Sequence, residues 1–321
     1  MEKKQIITLL ISLLTLLLVA CGSPEPAELT QVRLPMGFIA DPQYAPFYVA
    51  VEKGYFTEEG FEIEFDYSFE TDGIALVGAN ETEFALVSGE QVLLARSEGI
   101  PVVYVAEWFQ QFPIALVSTK ASGIESPADL VGREVGIPGL FGASYVGFAG
   151  LINGAGVNTE DVELVEVGFN QVESLLSGQV ETITAYVNNE PVQLEGLGEE
   201  VTVIPVNDYI DMVANGVITS ETYAAENPER VEGFVRAMLR GLEETINNPN
   251  EAYEISKGFV EGLDDTRKPV LDASIEVWKA DRLGETDAAS WVNTQDTLIS
   301  MGFLEGPLDD LENAYTNEFL P

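Results

Sequence analysis

An α/β chain folded as two lobes, with mixed sheets covered by helices on both faces and a ligand cleft at the hinge, is the expectation from three features. Short apolar runs alternate with amphipathic segments from residue 31 onward; the alternation breaks at residues 113–118 and then restarts; from residue 227 the chain reads as helix alone. Strands alternating with helices place helices over both faces of parallel pairings. Ligands in such sheets sit at the carboxyl ends of the strands.

Residues 32–39 read as a strand and 44–53 as a helix stopped by Gly54. Residues 61–67 alternate apolar and acidic side chains, as a strand with one exposed face does. Residues 71–79 read as a helix with Thr71 or Asp72 as N-cap. Residues 84–88 are a buried strand, 90–98 a helix closed by Gly99, and 101–106 another strand. The apolar, extended residues 113–118 read as a crossover. Beyond it, strands fall at 133–137, 162–167, 183–187 and 201–206, with helices at 143–155 and 171–177, and residues 212–218 return the chain. Asn227 followed by Pro228 is an N-cap with proline at the first helical position. That helix carries Val231, Phe234, Val235, Met238, Leu239, Leu242 and Ile246 on one face. Further helices follow around 252–260, 268–279 and 287–301, where Trp278 and Trp291 read as core. The first lobe is thus residues 31–117 with 213–321, and the second is 118–212.

The N-terminus reads as an export signal over residues 1–20. Lys3 and Lys4 precede an apolar run over residues 6–20, too short for the roughly 20 residues of a membrane-spanning helix. The run ends Leu18-Val19-Ala20-Cys21-Gly22, the pattern at which bacterial lipoproteins are cut before a lipid-modified cysteine. Cys21 is the single cysteine, so no disulfide can form within the chain, and residues 21–30 read as a lipidated tether. The expected location is the outer face of the cell membrane, with the chain a monomer.

Composition excludes several kinds of function. With 54 acidic against 15 basic residues, nothing is arranged to neutralise nucleic-acid phosphates. The acids are scattered and read as a solvated surface. The absence of histidine removes the Ser-His-Asp triad, the histidine general base and the histidine metal ligand. No phosphate loop or dinucleotide turn appears. No catalytic residue, metal ligand or cofactor site is assigned.

The segments Met36-Gly37-Phe38-Ile39, Tyr44-Ala45-Pro46-Phe47-Tyr48-Val49-Ala50 and Glu52-Lys53-Gly54-Tyr55-Phe56, closed by Glu59-Gly60, resemble the opening of ABC-importer binding proteins for alkanesulfonates, taurine and thiamine-pyrimidine precursors. Phe84-Ala85-Leu86-Val87-Ser88-Gly89 and Ser126-Pro127-Ala128-Asp129-Leu130, with Gly132, fit the same group. The resemblance implies the two-lobed type II fold of periplasmic binding proteins, and partnership with an ABC permease and ATPase. Within the group, residues 65–73, Ser88-Gly89-Glu90-Gln91 and residues 107–113 look most like the riboflavin-binding lipoproteins. The pyrimidine-precursor binders carry a Gly- and Cys-rich segment where this chain has Pro138-Gly139-Leu140-Phe141-Gly142-Ala143-Ser144-Tyr145, without cysteine.

The strand-end loops expected to line the cleft hold no lysine or arginine and are rich in aromatic, amide and acidic residues. Such a lining suits a neutral ligand, because sulfonate or phosphate usually meets a cation. It suits riboflavin, a flat ring for stacking with polar edges and hydroxyls for amides and carboxyls. Were a cation present, Arg96 and Arg133 would be expected first. The candidate ligand-binding residues are Asp41, Gln43, Tyr44, Ser88, Gln91, Trp108, Ser144, Tyr145, Tyr186, Asn188, Glu190 and Asp208. Several have a structural alternative. Asp41 can cap a turn, Tyr44 can pack under the sheet, Trp108 can plug the hinge, Tyr145 can face solvent, and Asn188 can cap a helix.

Other readings are a binder of a thiamine-pyrimidine precursor or another neutral aromatic, and a membrane-anchored sensory module. Eukaryotic pyrimidine synthases of the same superfamily use a histidine and bind iron, and this chain has no histidine.

Overall fold

The computed structural model describes residues 29–321. The export segment, Cys21 and most of the tether lie outside the described residues, while Thr30 already opens the first strand.

Strand β1 (Thr30–Gly37) pairs in parallel with β2 (Phe61–Phe69), from Thr30 opposite Phe61 to Leu34 opposite Phe65. Its alternate residues Val32, Leu34 and Met36 are buried, while Arg33 between them is exposed, which fixes the face turned to the core. Beside β1 lie β3 (Ala85–Ser88), β4 (Val102–Glu107) and β10 (Asn215–Ser220), in the order β3-β10-β4. Every residue of β3, β4 and β10 is buried, as expected of strands covered on both faces. A late segment of the chain covers the free edge of β4, through bridges from Tyr104 to Tyr315 and from Glu107 to Gly284.

The second sheet contains β5 (Ile114–Thr119), β6 (Glu134–Ile137), β7 (Glu163–Glu166), β8 (Thr182–Tyr186) and β9 (Val201–Pro205), in the order β7-β6-β8-β5-β9. The segment expected to be only a crossover is therefore a full strand between β8 and β9, and the expected boundary at residue 118 falls inside it. An extended apolar run satisfies both descriptions locally; its partners decide between them.

The sheets are mixed for a topological reason. β5 and β10 are the strands by which the chain enters each sheet from the other, and both run antiparallel to their neighbours. The strands with helical crossovers pair in parallel, as β6 does with β7 and β8. The carboxyl ends of β1 to β4 and of β6 to β8 consequently face each other across the hinge.

Helix ends hold small corrections. The helix expected to start behind Thr71 or Asp72 is Glu70–Gly78, with Phe69 at the N-cap and no side-chain cap. Glu70 and Asp72 lie in its first turn, where the helix dipole favours carboxylates. Asn227 does precede Pro228–Asn247, without a side-chain cap bond. That helix buries Val231, Phe234, Val235, Met238, Leu239 and Leu242. It crosses helix Ala45–Glu52 at Gly241, where a Cβ would stand 2.1 Å from the Pro46 carbonyl oxygen. Trp278 and Trp291 are fully buried. Among the described residues no helix is long and apolar enough to cross a membrane.

Candidate ligand-binding site

The facing strand ends enclose a cleft of about 870 Å³, mouth included. Its first wall comes from the end of β1 and the turn after it. Gly37 has φ +82°, and a Cβ there would come 2.9 Å from Glu70 Cγ, so glycine lets the Glu70 side chain cross the end of β1. Asp41 caps the short turn Pro42–Tyr44 by accepting from the Gln43 amide at 3.0 Å. That turn places Gln43 and Tyr44 on the cleft wall. Tyr44 Oη donates to the Met36 carbonyl at 2.6 Å, and its ring stacks on Trp108 with centroids 5.3 Å apart.

The second lobe adds Pro138 and Phe141 before helix Gly142–Gly154, Ser144 in its first turn, then Phe169 and Gln171, Tyr186 at the end of β8, and Asn189 and Glu190 after it. Tyr186 Oη donates to Asn215 Oδ1 at 3.3 Å across the cleft. At the mouth, rings from both lobes meet: Phe38 with Phe169 at 4.8 Å, Phe69 with Phe169 at 5.8 Å, and Phe69 with Phe141 at 6.0 Å.

One end of the cleft is a polar cluster. Glu70 Oε2 accepts from the Ser88 amide at 3.2 Å and the Ser88 hydroxyl at 2.6 Å, and Oε1 accepts from Asn215 Nδ2 at 2.9 Å. Ser88 Oγ also touches Glu90 Oε1, which accepts from Gln91 Nε2 at 3.3 Å. Burial, with the neighbouring Glu70 charge, pushes the Glu90 carboxyl up to about 8. Burial raises Glu190 to about 7, against a bond from the Tyr186 amide at 2.8 Å. Burial likewise raises Glu107 to about 8.

Of the twelve candidate residues, Gln43, Tyr44, Gln91, Trp108, Ser144, Tyr186 and Glu190 stand on the wall. Asp41, Ser88 and Asn188 sit behind it. Asp41 is buried against Arg267, and Ser88 holds the two carboxyls. Asn188 Nδ2 donates to Ser274 Oγ at 2.8 Å and Gln43 Oε1 at 3.4 Å. Two candidates lie elsewhere. Tyr145 follows Ser144 on the helix, and the turn of roughly 100° per residue carries its ring away from the wall onto Phe303, at 5.7 Å. Asp208 is exposed on a turn beyond β9, an edge strand.

Among the described residues no lysine or arginine stands on the wall. Arg96 pairs with Glu221 and Asp310, and Arg133 with Glu181, away from the cleft. The cation next to the cleft is Arg267, whose Nη2 pairs with Asp41 and donates to Asn189 Oδ1 at 3.3 Å. The wall residues not singled out from sequence include Phe38, Phe69, Glu70, Phe141, Phe169, Gln171 and Asn215. Phenylalanines in otherwise polar loops were the available signal for the mouth; Glu70 falls in the strand-end loop 68–72 expected to line the cleft, with nothing to mark it out there as a contact.

Residues 41–252 match the NMT1/THI5-like family. The chain is 38% identical to the riboflavin-binding protein RibY of Chloroflexus aurantiacus, over 100% of this chain and 99% of that one. It is 29% identical to a formylaminopyrimidine-binding protein of Halalkalibacterium halodurans, over 96% and 97% of the two chains. It is 26% identical to a 4-amino-5-hydroxymethyl-2-methylpyrimidine phosphate synthase of Legionella pneumophila, over 70% and 72%. Among solved structures, the periplasmic aliphatic sulphonate binding protein SsuA of Escherichia coli superposes with TM-score 0.74 at 13% identity, covering 90% of this chain and 98% of that one. That likeness establishes the fold of periplasmic binding proteins, and the sequence matches establish that the chain belongs to the NMT1/THI5-like family.

Proposed function

We propose that this protein captures riboflavin outside the cell membrane, held there by lipid on Cys21, and delivers it to the permease and ATPase of an ABC importer. The observation that carries this reading is the cleft wall. Among the described residues it combines aromatic rings, amides and carboxyls with no lysine or arginine. Rings stack on a flat heteroaromatic, and the polar groups serve its edges and hydroxyls. The full-length relative named as a riboflavin binder supports the same choice. The wall residues Gln43, Tyr44, Gln91, Trp108, Ser144, Tyr186 and Glu190 are the proposed contacts. Asp41, Ser88 and Asn188 support them from behind. The chain lacks the histidine that an iron-binding synthase would need, so the reading is capture without chemistry.

A thiamine-pyrimidine precursor is the second reading, favoured by the likeness to the formylaminopyrimidine-binding protein. Titrating purified protein with riboflavin, and following quenching of flavin fluorescence, tests the first reading. Saturable quenching that formylaminopyrimidine fails to reverse is the expected result. Absence of quenching, with thermal stabilisation by the pyrimidine alone, would replace riboflavin by the second ligand.

A further inference from the structure

We infer that Glu70 reads the ligand's ring N–H, with Gln91 and Asn215 beside it, and that Glu90 acts through Ser88 to hold Glu70 in its accepting form. This rests on the riboflavin reading above.

The first step is a proton count. Ser88 carries one hydroxyl proton, yet its Oγ lies 2.6 Å from Glu70 Oε2 and in contact with Glu90 Oε1. One hydroxyl cannot donate to both. One carboxyl is therefore protonated and donates to Ser88 Oγ.

The surroundings choose Glu90 for that proton. Glu70 accepts three hydrogen bonds, from the Ser88 amide, the Ser88 hydroxyl and the Asn215 amide. Glu90 is fully buried; its Oε1 accepts from the Gln91 side-chain amide beside Ser88, and its Oε2 has no partner among the described residues. An ionised Glu90 would be the worse solvated of the two. Its elevation to about 8 by burial and by the Glu70 charge agrees. The order is then Glu90 O–H to Ser88 Oγ–H to the Glu70 carboxylate.

The second step is a count of what remains. On Glu70, two bonds occupy Oε2 and one occupies Oε1, which leaves an acceptor position on a residue of the cleft wall. Asn215 and Gln91 each give one amide N–H to a carboxyl and keep a second. The Tyr186 hydroxyl fixes the Asn215 amide by donating to its Oδ1. Free N–H, acceptor and free N–H together complement one group: an N–H flanked by two carbonyls. Oxidised riboflavin has a single ring N–H, N3, between two ring carbonyls. Glu70 is thus a specificity-determining residue, and Ser88 and Glu90 are positioning residues.

Riboflavin and its 3-methyl derivative, titrated into wild type, Glu70→Ala and Ser88→Ala, test the assignment. The wild type should prefer riboflavin by roughly ten- to hundredfold, the worth of one charge-assisted bond. Glu70→Ala should bring that ratio to near one, and Ser88→Ala should lower it. Should Glu70→Ala fail to fold, Glu70→Gln must still lower the ratio. Riboflavin binding with no preference in the wild type overturns the assignment while the transport reading stands. An unchanged preference in the Glu70 variants overturns the role of Glu70. Equal weakening of both ligands by Ser88→Ala overturns the positioning roles. A wild type that binds no riboflavin overturns the assignment together with the reading it rests on.

Discussion

Phe38 and Phe169 meet edge to face across the cleft, with ring centroids 4.8 Å apart and planes at 88°. The first follows β1 in one lobe and the second follows β7 in the other, so the contact exists only when the lobes approach. Phe169 is 38% exposed even so, and contributes little to the core of either lobe. Phe169→Ala removes the pairs with Phe38 and Phe69 and should weaken ligand affinity by at least roughly two- to tenfold, the range for a single aromatic pair. The melting temperature without ligand should hardly move. Calorimetric titration and thermal melts of the variant check both.

Riboflavin should bind more tightly than its phosphorylated form. Among the described residues, the wall that would meet a phosphate carries Glu70 and Glu190 and no cation. Loss of a charge-assisted contact is worth roughly 1.5–3 kcal/mol, or about ten- to hundredfold. Titration of both flavins into the same preparation measures the ratio. Equal affinity would mean that Arg267 turns from Asp41 toward the ligand.

Stability should fall as pH rises from about 5 to about 8. The carboxyls of Glu90 and Glu107 rise from the ordinary 4.5 to about 8 on burial, so the folded chain holds protons that the unfolded chain has released. A raised acid contributes its full stability below the unfolded value and loses it as pH climbs through the folded value. Glu107→Gln keeps an acceptor for the Ala214 amide, which lies 3.2 Å from Glu107 Oε1, and removes the titration. Melting curves across this range should be flatter for the variant than for the wild type. Parallel curves would show that the acidic surface alone sets the slope.

Arg267→Met should destabilise the chain by about 1–3 kcal/mol, the cost of a buried polar group left unsatisfied. Asp41 is 2% exposed and loses its counter-ion in that variant. Adding Asp41→Asn should recover much of the loss, because a neutral amide still caps the turn at Gln43. Urea denaturation of the single and double variants gives the comparison; additive losses would contradict the pairing.

Cys21→Ser should release the protein from the membrane fraction, since the chain holds no other thiol for a lipid. Recovery of the variant in membranes at the wild-type level would exclude a lipid anchor at Cys21.

The alternation of strands and helices, the amphipathic C-terminal helices and an aromatic, cation-free set of strand-end loops are all legible in the amino-acid order. These are properties of periodicity and composition, which act within a few residues of each position. Other features arise from contacts between segments distant in the chain. Residues 114–119 became β5 because β8 and β9 supply its partners, which no local pattern reveals. Ser144 reached the cleft and Tyr145 did not, because adjacent helical residues point in different directions and packing sets the rotation. Glu70 was an unmarked acid in a loop expected to line the cleft until Gly37, Ser88 and Asn215, far from it in sequence, were folded against its side chain. A carboxyl takes its protonation state and its partners from burial and neighbours, and both exist only in the folded chain.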